Sequence, residues 1–343
     1  MSLPTRALGK NGPRVTAIGF GLMGMSAFYG PALEDKDAFP LLDRAIELGC
    51  TFWDTSNIYG ANEETLNRYF KARPDAREKV FLATKFGATF IDGVWGERGD
   101  YDYVIECANK ALARLGTTYI DLFYVHRIDS RTPIEITIKA LVQLKNEGKI
   151  RHIGLSEASA TTLRRAHAIH PIAAHQVEYS PFELTIESES NGVLKTCREL
   201  GITVVAYSPI GRGMLAGKIR SPEDFDESDF RRHMPRFSQE NFFKNLEVVD
   251  KFADIAKRHN ATPGQLALAW LLAQGPEVIP IPGTTRIANL EENVAAAAVK
   301  LTDGELSELS GVIRGVEVSG ERYPTYMMAN TYRDTVTFEK VAA

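Results

Sequence analysis

The sequence predicts an α/β protein of the (β/α)8, or TIM, barrel class. Three observations carry that expectation. Short apolar runs of strand length alternate eight times with longer runs of helical periodicity. No linker or low-complexity stretch divides the 343 residues, so positions 1–343 are expected to form a single barrel domain. The polar residues able to do chemistry collect at the ends of the apolar runs, where a barrel opens its active face. A doubly wound open sheet is the structural rival.

The strand runs are "TAIGFG" (16–21), "CTFWDT" (50–55), "VFLATK" (80–85), "IDLFYVH" (120–126), "IRHIGLS" (150–156), "AAHQVEY" (173–179), "ITVVAYS" (202–208) and "EVIPIP" (277–282). Their near-continuous apolarity is that of parallel strands covered on both faces. Helical patterns fall at 37–48, 62–72, 102–115, 159–169, 188–200, 262–273 and 287–297, with the clearest at 132–149. There Thr132 and Glu135 suggest a capping box, with Pro133 at the first helical position. Ile134, Ile138, Leu141 and Leu144 form one apolar stripe, and Gly148 ends it. Three stretches lie outside the repeat. Residues 1–15 suggest a hairpin closing the barrel bottom. Residues 209–261 form a long insertion after the seventh strand, with a helix expected at 244–258. A long tail follows a helix near 302–313.

A formal net charge of −4, without a long basic run, gives no electrostatic reason to expect nucleic acid or an anionic membrane as partner. Cys50, Cys107 and Cys197 are odd in number and widely spaced, which suggests neither a disulfide framework nor a zinc site. No signal-peptide pattern or membrane-spanning run is read, and the expected location is the cytoplasm.

"GFGLMG" (19–24) matches the glycine fingerprint of a dinucleotide-binding turn, but the context is wrong. "MSAFYGPALED" follows Gly24 instead of a helix, and the position about 20 residues on falls near Arg44 instead of on an acid. The better reading is a glycine-rich turn at a strand end.

The strand ends carry Asp54, with Tyr59 in the loop beyond, then Lys85, His126, Ser156 with Glu157, Gln176, and Tyr207 with Ser208. Each alone has a bland reading, as turn cap, solvated end or packed polar group. Together they suit the protonation of a carbonyl oxygen as hydride reaches its carbon. A lysine and a carboxylate in a partly buried mouth need each other. The lysine is expected to pull the tyrosine pKa down, and a histidine can orient a carbonyl. "IPIPGTTRIANLEEN" (279–293) leads from the last strand into a helix. Gly283, Thr284, Thr285 and Arg286 there suit an anion at a helix N-terminus.

The segments "GFGLMGMS", "FWDTSNIYG", "FLATKFG", "LARLGTTYIDLFYVHRID", "GKIRHIGLSEAS", "QVEYSPF", "AYSPIGRGMLAGK" and "PIPGTTRIANLEENV" resemble, in order and spacing, the aldo-keto reductase superfamily over nearly the whole chain. The nearest branch is that of the fungal and plant reductases often labelled "auxin-induced protein". The resemblance implies a (β/α)8 barrel and an NADPH-dependent reductase of aldehydes and ketones, with a small-molecule carbonyl as partner and no metal. It implies a catalytic tetrad of Asp54, Tyr59, Lys85 and His126, with Tyr59 as general acid. Ser156 and Gln176 would hold the nicotinamide carboxamide, and Tyr207 would stack on the ring. Ser208, Pro209, Ile210, Gly211, Arg212, Gly213 and Leu215 would clamp the pyrophosphate. Gly283, Thr284, Thr285 and Arg286 would take the 2′-phosphate, and Glu292 and Asn293 the adenine. Gly21, Met23 and Ile281 complete the cofactor-binding set.

This chain departs from the family pattern in three places. Glu157 stands where many members have Asn, the phosphate-loop lysine is absent, and Asn289 replaces a common arginine; Arg286 is expected to compensate. Met25, Phe28, Tyr29, Trp95, Phe182 and Phe237, with Tyr323, Tyr326 and Met327 of the tail, are candidates for an apolar substrate pocket. An alternative within the superfamily is a cofactor-binding regulatory subunit with slow reductase activity. Oligomeric state and substrate identity are not legible.

Overall fold

The computed structural model describes residues 3–91 and 93–338. Strands β1 (Thr5–Ala7) and β2 (Arg14–Thr16) pair antiparallel as the N-terminal hairpin. The barrel strands are β3 (Phe20–Gly21), β4 (Phe52–Asp54) and β5 (Phe81–Phe86), followed after a second hairpin by five more. That hairpin, β6 (Ala88–Ile91) and β7 (Val94–Glu97), stands beside the cavity mouth and was not anticipated. The remaining barrel strands are β8 (Ile120–Val125), β9 (Ile150–Ser156), β10 (Ala174–Glu178), β11 (Thr203–Tyr207) and β12 (Val278–Pro280).

Spatial order is β12-β11-β10-β9-β8-β5-β4-β3, all neighbours parallel. The ends meet. Gly19 N–H donates to Pro280 O at 2.9 Å and Gly21 N–H to Pro282 O at 3.1 Å, with a parallel bridge between Gly21 and Gly283. A Cβ on Gly21 would lie 2.8 Å from Ile281 O, and one on Gly283 would lie 2.8 Å from Gly21 O. The first glycine run is therefore the seam that closes the barrel, not a dinucleotide turn; a single 3-10 turn, Met23–Met25, follows it.

The period of two along each strand explains the placement of the site. Leu8, Val15, Phe52, Ala83, Leu122, Tyr124, Ala174, Val205, Ile279 and Ile281 pack together inside the barrel. Two residues beyond these packed positions, on the same face, stand Asp54, Lys85, His126, Gln176 and Tyr207. Alternate residues such as Trp53, Leu82, Phe123 and Val204 face the helices instead.

The helices are α1 (Asp35–Glu47), α2 (Asn62–Ala72), the short α3 (Ala76–Lys79), α4 (Tyr101–Leu115), α5 (Ile134–Asn146) and α6 (Ala160–Ile169). After them come α7 (Val193–Leu200), α8 (Gln239–Arg258), α9 (Pro263–Ala273), α10 (Ile287–Ala295), α11 (Asp303–Arg314) and α12 (Thr325–Met328).

Three expectations need correction. Helix α5 starts at Ile134 with Pro133 as its N-cap, and no capping box forms. Thr132 Oγ1 donates to Asp129 instead, Glu135 pairs with Arg165, and Thr335 of the tail accepts the Ile134 N–H. The tail thus does the capping, which a local motif cannot foresee. Helix α7 begins only at Val193, because 188–192 form a turn after a short 3-10 segment (Thr185–Glu187). Helix α8 begins at Gln239, five residues before the expected start.

Candidate active site

A cavity of about 1170 Å³ opens at the C-terminal strand ends, lined from the phosphate-type loop at 283–286 to Tyr59 and His126. Its floor is a chain of polar contacts. Lys85, fully buried, donates through Nζ to Asp54 Oδ1 at 2.5 Å, to Thr55 O at 2.7 Å and to Tyr59 Oη at 3.2 Å. Gln176 Nε2 donates to the other Asp54 oxygen at 2.7 Å. The loop that carries Tyr59 is fixed from behind. Ser26 Oγ donates to Tyr59 O at 2.6 Å, and Asn62 binds both Ser26 Oγ and Leu22 O. Gly60 turns with φ +57°, where a Cβ would meet Ser26 O at 2.9 Å.

Burial would push the Lys85 ammonium down, but Asp54 and Tyr59 outweigh it and hold Lys85 above its ordinary value. The Tyr59 phenol corrects the sequence expectation. Burial raises its pKa more than Lys85 lowers it, and the Asp54 charge adds to the rise. A phenolate this deep loses more hydration than one ammonium at 3.2 Å restores. The group is therefore firmly a phenol at neutral pH. Burial, reinforced by the positive charges of Lys85 and Arg127, holds His126 well below its ordinary value, as a neutral imidazole. Ser56 Oγ lies 3.0 Å from His126 Nδ1. The sequence reading passed over Ser56, although it sits two residues past Asp54 with the hydroxyl that a histidine tautomer needs.

Of the expected cofactor set, Gly21, Met23, Ser156, Gln176, Tyr207, Ser208, Pro209, Ile210, Arg212, Gly213, Ile281, Gly283, Thr284, Thr285, Arg286, Glu292 and Asn293 line the cavity. Gly211 and Leu215 do not. Both are buried behind it, where a Cβ on Gly211 would press on Phe182 and Leu215. The turn at 208–213 is left-handed at Ser208 (φ 51°) and at three successive residues, Gly211, Arg212 and Gly213. For Arg212 this costs on the order of 1 kcal/mol. Its guanidinium is anchored by Glu178 at 2.7 Å and by Tyr29 Oη at 3.3 Å.

Helix α10 has no side-chain cap at its N-terminus, and among the described residues no carboxylate lies within 4 Å of Arg286. Free backbone donors and an unpaired guanidinium on a glycine-opened loop suit a phosphate. Glu292 is already held by Lys218 Nζ at 2.9 Å and Thr262 Oγ1 at 2.8 Å. Lys218, which the sequence reading missed, reaches this end of the cavity from the long insertion.

Among the substrate-pocket candidates, Phe28, Tyr29, Trp95, Tyr323, Tyr326 and Met327 line the cavity. Met25, Phe182 and Phe237 do not: each is at most 3% exposed and packs in the main apolar core. Aromaticity near a strand end could not distinguish these two fates.

Glu157 faces away from the cavity. Arg322 of the tail grips both its oxygens, at 2.9 and 2.8 Å, and Tyr207 Oη donates to it at 2.7 Å. Burial would raise the Glu157 carboxyl, but Arg322 and Arg127 hold it at about 2. Glu157 is therefore a structural anion, tying the tail to Tyr207.

Among the described residues, no group of three or more His, Cys, Asp or Glu side chains could hold a metal ion, and no helix is long and apolar enough to cross a membrane.

Known proteins share this plan. The Aldo/keto reductase family profile matches residues 17–314. Aldo-keto reductase str7 of Strobilurus tenacellus is 52% identical over 327 residues, covering 94% of this chain and 95% of that protein. Aldo-keto reductase yakc [NADP(+)] of Schizosaccharomyces pombe is 50% identical over 344 residues, covering 99% and 100%. The crystal structure of a thermostable aldo-keto reductase, Tm1743, with the inhibitor epalrestat superposes with a TM-score of 0.72. It is 30% identical, covering 90% of this chain and 100% of that one.

Proposed function

The chain belongs to the aldo/keto reductase family and is an NADP-dependent oxidoreductase of small carbonyl compounds, and from that premise we propose that Tyr59, Lys85, Asp54 and His126 carry its chemistry. The observation that supports this most is the buried Asp54–Lys85–Tyr59 chain ending in a phenol at the cavity floor. NADPH, when bound, supplies hydride to the carbonyl carbon. Tyr59 donates its proton to the carbonyl oxygen, which completes the alcohol. The phenolate left behind is compensated by Lys85, whose charge Asp54 secures. His126, neutral, orients the carbonyl. When Ser56 donates to Nδ1, Nε2 carries the proton and can donate to the same oxygen.

The cavity residues fit the cofactor. Gly21 and Gly283 give close backbone approach, the left-handed turn at 208–213 suits a pyrophosphate, and Arg286 with the α10 N-terminus suits the 2′-phosphate. Ser156 and Gln176 are proposed for the carboxamide, Tyr207 for the ring, and Glu292 with Asn293 for the adenine. A cytoplasmic location and a single catalytic barrel are part of the same reading.

The testing experiment is NADPH and NADH oxidation, side by side, with 4-nitrobenzaldehyde and a panel of aldehydes and ketones; no turnover with any carbonyl overturns it. Two variants sharpen it. Arg286→Ala removes charge-assisted bonds of about 1.5–3 kcal/mol, so NADPH should bind roughly ten- to a hundredfold more weakly while NADH affinity stays nearly constant. Titration by fluorescence would measure both. Ser56→Ala removes a bond of about 1 kcal/mol that sets the His126 tautomer. Steady-state kcat should fall roughly fivefold, with unchanged NADPH affinity.

A further inference from the structure

Five basic side chains line the cavity: Arg127, Arg212, Lys218, Arg231 and Arg286. Three are held by carboxylates, through Glu178, Glu292 and Asp229. Arg286 and Arg127 have no carboxylate within 4 Å among the described residues. Arg286 lies at the end of the cavity proposed for the cofactor phosphate. Arg127 lies at the other end, next in sequence to His126.

The contacts of Arg127 are all to neutral groups, and the two to side chains are long. Nη1 donates to His126 O at 3.0 Å and to Ser156 Oγ at 3.5 Å, and Nη2 to Tyr323 Oη at 3.4 Å. Its surroundings carry a charge imbalance. Arg212 and Arg322 converge on Glu157 and Glu178; Arg127 stands at the edge of this cluster, joined to it through Tyr323 Oη, which lies 3.2 Å from Tyr207 Oη, and it feels the Glu157 charge without contacting it. Three guanidinium groups face two carboxylates, and Glu178 is shared by two of the cations. Two further acids on these elements are already engaged: Asp129, two residues past Arg127, pairs with Arg131, and Glu183 pairs with Arg236. Burial would raise the Tyr323 phenol, yet Arg212 and Arg127 bring it below its ordinary value, a sign of positive potential at this wall. A poorly hydrated cation without a counter-ion is costly, and an anion that enters beside it is favoured.

We propose that Arg127 is a specificity-determining residue that binds a carboxylate on the substrate, so that the preferred substrates are aldehydes or ketones bearing an acid group. This rests on the reductase reading above. The carbonyl lies at Tyr59 and His126, and the acid group reaches sideways to the guanidinium.

Nitro and carboxylate groups have nearly the same shape and differ by one charge. The test compares 2-, 3- and 4-carboxybenzaldehyde with the matching nitrobenzaldehydes, in the full-length enzyme with saturating NADPH. For each pair the ratio of kcat/KM, carboxylate over nitro, cancels defects in folding or cofactor binding. In Arg127→Met this ratio should fall at least tenfold for one or more ring positions, mainly through KM. Arg127→Lys should retain part of it. In the wild type the KM of that carboxylate substrate should rise with salt while that of its nitro partner stays flat. Unchanged ratios at all three positions overturn the proposal. A loss equal for both members of every pair, together with weaker NADPH binding, also overturns it and assigns the guanidinium to the cofactor. Failure of the nitro compounds to oxidise NADPH in the wild type would instead count against the reductase reading itself.

Discussion

Tyr59→Phe should bind NADPH with unchanged affinity and reduce carbonyl substrates about 10²–10⁴-fold more slowly, the range that a positioned general acid contributes. The substitution removes one oxygen, and that oxygen's hydrogen bond to Lys85 Nζ, at 3.2 Å, is the longest of the three the ammonium makes. Lys85 keeps Asp54 and Thr55 O, so the floor stays closed. The ring keeps its edge contacts with Phe28 and His126. Cofactor affinity and melting temperature serve as controls; single-turnover NADPH oxidation gives the rate. Retained activity would remove Tyr59 from the mechanism. Because burial keeps the phenol protonated, the wild-type reduction rate should hold across neutral pH and decline only toward strongly alkaline pH.

Arg322→Met should destabilise the protein by about 3–5 kcal/mol, because it leaves Glu157 buried and ionised without its bidentate partner. The urea midpoint measures this. Adding Glu157→Gln should restore much of the loss, since removing both charges leaves no orphan. Loss in the single variant without recovery in the double would show that the pair itself is not the cause. The same pair sets an acid limit. Glu157 is depressed from 4.5 to about 2, so its contribution is complete above about pH 4.5 and is lost as pH falls toward 2. The amount is on the order of 3 kcal/mol. Glu157→Gln should flatten that part of the pH–stability curve. Tyr207 bonds to both partners, so Arg322→Met should also weaken NADPH binding.

The barrel was legible because its strands are buried on both faces and its helices are amphipathic. Both patterns are local: seven of the eight apolar runs contain an observed barrel strand whole, and the run at 80–85 holds all of its strand but Phe86. The helix at 62–72 was also correct to the residue. Errors arose where a distant segment replaced a local rule. The α5 cap went to Thr335, 201 residues from Ile134. Phe182 and Phe237 look like Trp95 in sequence, but the packing of the insertion turns them inward while the β6–β7 hairpin leaves Trp95 at the mouth.

By itself the sequence determined which residues could meet. A period of two places Asp54, Lys85, His126 and Gln176 on the inward face at the top of their strands, and parallel pairing sets them side by side. Residue type and spacing suffice for that. Only the tertiary structure decided how they behave. Depth of burial, not the neighbouring lysine, sets the state of Tyr59, because desolvation depends on everything packed around a group. Likewise Glu157 reads as a replaced ligand until Arg322 arrives from 165 positions away. Charge pairing across such a distance has no local pattern, since it exists only once the tail lies on the barrel.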